Sequence, residues 1–190
     1  MAQMAKNGIF AIQKHKAMEY LKSERITLRA LEPEDLDTFY RWENDTSLWC
    51  VGSAVEPYSR YILKEYIAYS NKTIYEKRQL RLIIERNADH ETIGAIDLYD
   101  FDPFHMRAGV GILIDKAHQR LNFGSEALSL VIDYAFGFLH MKQLYAYVPT
   151  YNRVCLQLMS KAHFEHSGTL HSWLRQGDGY IDVALLQLVR

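Results

Sequence analysis

Residues 115–128 read Asp-Lys-Ala-His-Gln-Arg-Leu-Asn-Phe-Gly-Ser-Glu-Ala-Leu. They form a polar turn between the apolar run 108–114 and a stretch where Ala127, Val131, Ala135 and Phe138 recur at helical spacing. A strand, a polar turn and an amphipathic helix in that order outline an anion site. Successive backbone N–H groups of such a turn, with the positive end of the helix dipole, bind a pyrophosphate without any particular side chain. Arg120 adds charge. The turn carries neither G-x-x-x-x-G-K-[ST] nor G-x-G-x-x-G, so a P-loop nucleotidase or a Rossmann dinucleotide site is not supported. A surface turn that merely opens a core helix would carry similar small and polar residues.

Outward from this turn, the pattern predicts strands and helices in alternation. Upstream, Ile26 and Leu28 alternate with polar neighbours in a strand over 25–29. Pro33 suits a first helical turn, Glu34 and Asp35 complement the helix dipole, and Leu36, Phe39 and Tyr40 form an apolar stripe. A second helix covers 58–70, and a hairpin pairs 80–85 with 92–99 around a turn at 87–90. The run 108–114 suits a buried central strand. Downstream come a helix over 123–139, a strand over 143–148 ended by Pro149, a helix over 152–162, and a closing hairpin of 164–174 with 180–189 around Gly177-Asp178-Gly179.

The chain of 190 residues suits one domain, expected over 25–190, with 1–24 as an extension preceding it. Its composition, 48% hydrophobic and 24% charged, is that of a globular protein and excludes a disordered chain. A net charge of −1 provides no basic field for nucleic acid. Two cysteines, Cys50 and Cys155, cannot build a disulfide framework and fit a reducing, cytoplasmic setting. No secretory apolar region or run of eighteen apolar residues is present, so no membrane partner is expected. His163 and His166 match no metal-binding helix, and no metal is expected.

The turn resembles the acetyl-CoA loop of GNAT-superfamily N-acetyltransferases, [QR]-x-x-G-x-[GA], followed by a Ser-Glu-Ala-Leu-like helix start. Gln119, Gly124 and residues 125–128 match it, while Asn122 stands where the first glycine is expected. Asparagine tolerates left-handed backbone geometry, which softens that departure. The likeness extends in order along the chain. Leu28-Arg29-x-Leu31-Glu32-x-Glu34-Asp35-Leu36 and Trp42-Glu43-Asn44-Asp45 are similar to the opening of the branch holding ribosomal-protein N-terminal and spermidine acetyltransferases. Ile93-Gly94-x-Ile96 resembles its hairpin, and Trp173, Gly179-Tyr180 and Asp182 resemble its closing strand pair.

The resemblance implies an α/β fold: a mixed, mostly antiparallel sheet of about six or seven strands and about four helices, with splayed central strands. It implies direct attack of a primary amine on the thioester of acetyl-CoA. Carried over, the Val110, Ile112 and Ile114 stretch would bond pantetheine through its backbone. Gln119, Arg120, Leu121, Asn122, Phe123, Gly124 and Ser125 would hold the pyrophosphate. Asn152 matches a cofactor-contacting asparagine, although an N-cap explains it equally well. The tyrosine that protonates the leaving thiolate in many relatives is replaced by Met159, and a family glycine by His163. In the ribosomal-protein branch a hydroxyl three positions after the asparagine has the acid role; that position is Cys155 here, which a small buried hydrophobe would also fill.

A glutamate early in the central strand, frequent in polyamine acetyltransferases, is missing from Ala108-Gly109-Val110. Asp97, Tyr99, Asp100 and His105 are nearby candidates for the base, with His105 first because its ordinary pKa is nearest neutrality. Acceptors implied are a peptide N-terminus, a polyamine or a small amine; homo-oligomerisation is left open. An α-amino group is far more often neutral at pH 7 than an alkyl amine, which favours it over spermidine for an enzyme without a carboxylate base. The six acids over 31–45, against a single Arg41, are the counter-indication, since they could hold a polycation. A rival reading is a GNAT-like domain that binds acyl-CoA without turnover, as a sensor or interaction module.

Overall fold

The computed structural model describes residues 19–49 and 56–190. Cys50, and most of the 1–24 segment, lie outside the described residues. The elements in chain order are β1 (Ile26–Ala30), α1 (Leu36–Glu43, entered through a 3-10 turn at Pro33–Asp35), α2 (Thr46–Trp49), α3 (Arg60–Tyr69) and α4 (Ile74–Lys77). They continue with β2 (Leu80–Arg86), β3 (Thr92–Asp102), β4 (Arg107–Ile114), α5 (Phe123–Asp133), β5 (Gln143–Pro149), α6 (Arg153–Lys161), β6 (Glu165–Gln176) and β7 (Gly179–Val189). The four-residue helices α2 and α4 exceed the expected helix count, because a single turn leaves no 3.6-residue periodicity to read. The long helix expected over 123–139 loses its α-register at Tyr134 and ends in a π-helical turn, Tyr134–Phe138, where the Leu139 N–H reaches the Tyr134 carbonyl at 3.0 Å. No helix among the described residues is long and apolar enough to cross a membrane.

Seven strands form one sheet in the order β1-β2-β3-β4-β5-β7-β6. Every neighbouring pair is antiparallel except β4 with β5. That parallel pair is short: Arg107 faces Gln143, Ala108 faces Leu144 and Gly109 faces Tyr145, and there the pairing ends. Beyond it, β4 continues to Ile114 with only β3 as neighbour, while β5 continues to Pro149 with only β7. The sheet therefore opens into a V whose apex lies at Gly109 and Tyr145.

The two faces bury separate cores. On one, Ala108 and Val110 of β4 and Leu144, Ala146 and Val148 of β5 pack beneath Phe123, Ala127, Leu128 and Val131 of α5 and Met159 of α6. On the other, Ile83 and Ala95 pack against Phe39 and Trp42 of α1 and Leu63 and Ile67 of α3. Strand alternation then turns Gly109, Gly111, Tyr145 and Tyr147 toward that second face, past the end of its helical cover. Residues 19–24 fold against the sheet: the Leu28 N–H reaches the Leu21 carbonyl at 2.7 Å, and the Tyr20 ring fills the space that a Cβ on Gly137 would need.

Candidate active site

The turn after β4 is held at both ends. Asp115 accepts from Trp42 Nε1 and Arg41 Nη2, each at 3.0 Å, and Gln119 Nε2 donates to the Ile114 carbonyl at 3.0 Å. Arg120 and Asn122 adopt left-handed conformations, φ 64° and 66°, on either side of Leu121. The chain thereby turns sharply into α5 without a glycine at 122, and the Asn122 side chain makes no capping bond. The first free intrahelical acceptor, the Asn122 carbonyl, serves Glu126 N–H at 3.2 Å, so the N–H groups of Phe123, Gly124 and Ser125 have no partner within α5. These donors and the helix dipole suit a phosphate. Glu126, the single acid of that first turn, would oppose an anion. However, it is bound by Arg25 and by the Ser23 hydroxyl, each at 2.5 Å. Burial pushes its carboxyl up, and those two partners outweigh burial and hold it below the ordinary range. Gly124 is packed ordinarily: a Cβ there would lie 3.5 Å from Ile114 and 3.8 Å from Ile112 and Leu158.

These features place the turn at the open end of the V. Residues 110–114 line one arm, with Val110 buried and Ile112 and Ile114 half-buried. The start of α6 follows the other arm. Asn152 caps α6, its Oδ1 accepting the Cys155 N–H at 3.1 Å. The Cys155 side chain is half-buried against the α5-side core, and burial pushes its thiol up to about 11.

The end of α6 explains two departures noted in the sequence. His163 takes φ 66°; its N–H bonds the Ser160 carbonyl and the Phe164 N–H bonds the Met159 carbonyl, both at 3.0 Å. This is a Schellman stop, with the usual apolar contact supplied by Met159 and Phe164 in the same core. The backbone geometry that a glycine would favour is thus kept by His163, as it is by Asn122. Met159 is only 1% exposed and has a packing role.

On the other face, Arg81 draws the carboxylates together. Its Nε donates to Asp97 at 2.7 Å and its Nη1 to Glu43 at 2.6 Å, while its guanidinium lies over the rings of Phe39 and Tyr66. Asp97 is level with Gly111 of β4 but is engaged by a cation. His105 is exposed on the turn before β4, at the closed end of the V; its N–H bonds Asp102 and its ring edge meets Phe104. Cys155, Asp97 and His105 therefore stand on three different elements, and the structure does not gather them into one hydrogen-bonded group.

Tyr99 lies closest to the apex. Its ring covers Gly109 so tightly that a Cβ at 109 would come within 2.3 Å of it, and it meets the Tyr145 ring edge-on at 6.0 Å. The sequence signal for this was the Gly109-x-Gly111 spacing inside a strand, which marks a close approach by a neighbour. Arg81 and Tyr145 had no such signal.

A family model described as an acetyltransferase (GNAT) domain matches residues 25–165. The uncharacterized N-acetyltransferase YoaA of Bacillus subtilis is 28% identical over 175 residues, covering 90% of this chain and 96% of its own. The spermidine N(1)-acetyltransferase of Vibrio cholerae is 26% identical over 168 residues, covering 88% of this chain and 95% of its own. The crystal structure of spermidine N-acetyltransferase from Vibrio cholerae in complex with CoA and spermine superposes with a TM-score of 0.77, at 26% identity over 88% of this chain and 96% of that one.

Proposed function

Because the chain belongs to the GNAT acetyltransferase domain family, we propose that it transfers the acetyl group of acetyl-CoA to a primary amine through the V between β4 and β5. The observation that carries this reading is the end of β4–β5 pairing at Gly109 and Tyr145, with the freed end of β4 leading into a turn whose N–H groups at 123–125 have no partner within α5. The N–H groups at 123–125, reached through the left-handed Arg120 and Asn122, would hold the pyrophosphate, with Gln119 and Leu121 shaping the turn. Freed β4 backbone at Val110, Ile112 and Ile114 would bond pantetheine, and Asn152 stands across the V from it. Acetyl-CoA supplies an activated acyl group; the protein's task is to position it and to exclude water.

The acceptor we favour is a polyamine-type alkyl amine, supported by the spermidine acetyltransferases among its relatives. The acids over 31–45 offer less attraction than their number suggests. Asp35 pairs with Arg29, Asp37 with Arg60, Glu43 with Arg81 and Asp45 with Lys116. That compensation favours a second reading, an α-amino acceptor. An α-amine is about a tenth neutral at pH 7, whereas an alkyl amine of pKa near 10.4 is neutral in less than about one molecule in a thousand. Initial rates of thiol release with spermidine and with an N-terminal peptide, at pH 7 and pH 9, decide between them. A higher kcat/KM for spermidine at pH 7 supports the first reading, and a higher value for the peptide supports the second. Binding of acetyl-CoA without turnover on any amine would leave a sensor or interaction module.

A further inference from the structure

The face of β4 turned away from α5 bears no side chain at 109 or 111, and Tyr99 of β3 uses that absence. Its ring crosses β4 over Gly109, where any Cβ would collide, and extends to ordinary contact distance at Gly111, 3.7 Å from a Cβ there. On the β5 side its ring meets Tyr145 edge-on at 6.0 Å, and the nearby backbone of Tyr147 partly offsets the effect of burial on the phenol. Tyr147 is two residues past Tyr145, the last residue of β5 paired with β4. One phenol thus lies across the V at its apex, its ring seated on Gly109 of β4 and against Tyr145 of β5. No side-chain acceptor for its proton stands among the described residues.

We propose that Tyr99 is the catalytic proton donor to the leaving thiolate, in the place that Met159 cannot fill. This rests on the acetyl-transfer reading above. The amine nitrogen attacks the thioester carbonyl carbon, so that the C–N bond forms and the C–S bond breaks with its electron pair passing to sulfur. Tyr99 gives its proton to that sulfur, releasing a free thiol, and its phenolate then takes the proton shed by the nitrogen. The products are one amide and one thiol, and the phenol is restored. Burial, together with the neighbouring Tyr145, pushes the phenol well above its ordinary range, so it is protonated at working pH. A side chain whose role was only to prop the strands apart would need its ring and not its hydroxyl.

Tyr99→Phe separates those roles, since it keeps the ring over Gly109. Wild type and variant are compared by steady-state thiol release, by calorimetric titration with acetyl-CoA and by thermal midpoint. The expected result is a loss of kcat of about a hundredfold, the usual range for a lost general acid. The loss should be equal with spermidine and with the peptide, because the proton goes to the leaving group, and acetyl-CoA affinity should stay within about twofold. Gly109→Ala, which drives the ring off its seat, should lower kcat in the same direction. Unchanged kcat in Tyr99→Phe overturns the proton-donor role alone. A wild-type protein that transfers acetyl to no amine overturns the acetyl-transfer reading and this role with it.

Discussion

The Asp97 carboxylate lies 2.7 Å from Arg81 Nε, and the same guanidinium holds Glu43 on its other side. Both side chains of the Arg81–Asp97 pair are mostly shielded, at 21% and 16% exposure. Removing one carboxylate leaves a poorly solvated cation with fewer partners, so Asp97→Asn should destabilise the fold by about 1–3 kcal/mol. The thermal midpoint should drop by several degrees, while kcat measured well below the new midpoint changes by less than threefold. A hundredfold loss of kcat at an unchanged midpoint would instead make Asp97 the base.

Left-handed backbone at non-glycine residues costs about 1–2 kcal/mol. His163→Gly should relieve that cost at the end of α6, raising the thermal midpoint by about 2–4 °C, and His163→Ala should not. Asn122→Gly is expected to raise stability less, because asparagine already tolerates φ 66°. Asn122→Val should weaken acetyl-CoA binding by titration, through distortion of the turn ahead of the donors at 123–125. Unaltered affinity in Asn122→Val would detach that turn from the cofactor.

Burial pushes the Cys155 thiol up to about 11. At pH 7.5 its thiolate is therefore far rarer than that of an ordinary thiol, so iodoacetamide should label it more than about tenfold more slowly in the native protein, as read by peptide mass mapping. Cys155→Ala removes one buried atom and should cost about 1 kcal/mol with kcat preserved. A large fall in kcat at constant acetyl-CoA affinity would return the acid role to this thiol and displace Tyr99.

Asp35 accepts from both Nη atoms of Arg29, at 2.7 and 2.9 Å, and from the Glu32 N–H at 2.9 Å. Burial pushes its carboxyl up, but Arg29 and the Glu32 N–H outweigh burial and hold it below the ordinary carboxylate range. Since the folded value is the lower one, its stabilisation is present in full above the unfolded value of about 3.9 and is lost as pH falls through the folded value. The midpoint should show no contribution from this group between pH 7 and 5 and should fall below about pH 4. Asp35→Asn should lower the midpoint at pH 7, by about 3 kcal/mol in stability, and flatten the acid slope. An acid slope identical to wild type would exclude this pair from acid unfolding.

Much of the architecture was legible because it is local. Alternation at Ile26 and Leu28, the 3.6-residue recurrence of Ala127, Val131 and Ala135, and the glycines at 177 and 179 each report a backbone period or a turn within a few residues. Asn122 could be read the same way, since left-handed tolerance belongs to the residue type. The sequence by itself thus determined the strand, turn and helix around 108–128 and the order of the elements. Tertiary structure alone decided where the V opens, because the β4–β5 register brings together residues more than thirty positions apart. It also decided that Arg81 would occupy Asp97 and Glu43, and that Tyr99 would lie over Gly109. Charge compensation and ring packing of that kind depend on which side chains converge in space, and a carboxylate or a phenol carries no mark in the sequence of the neighbour it will meet.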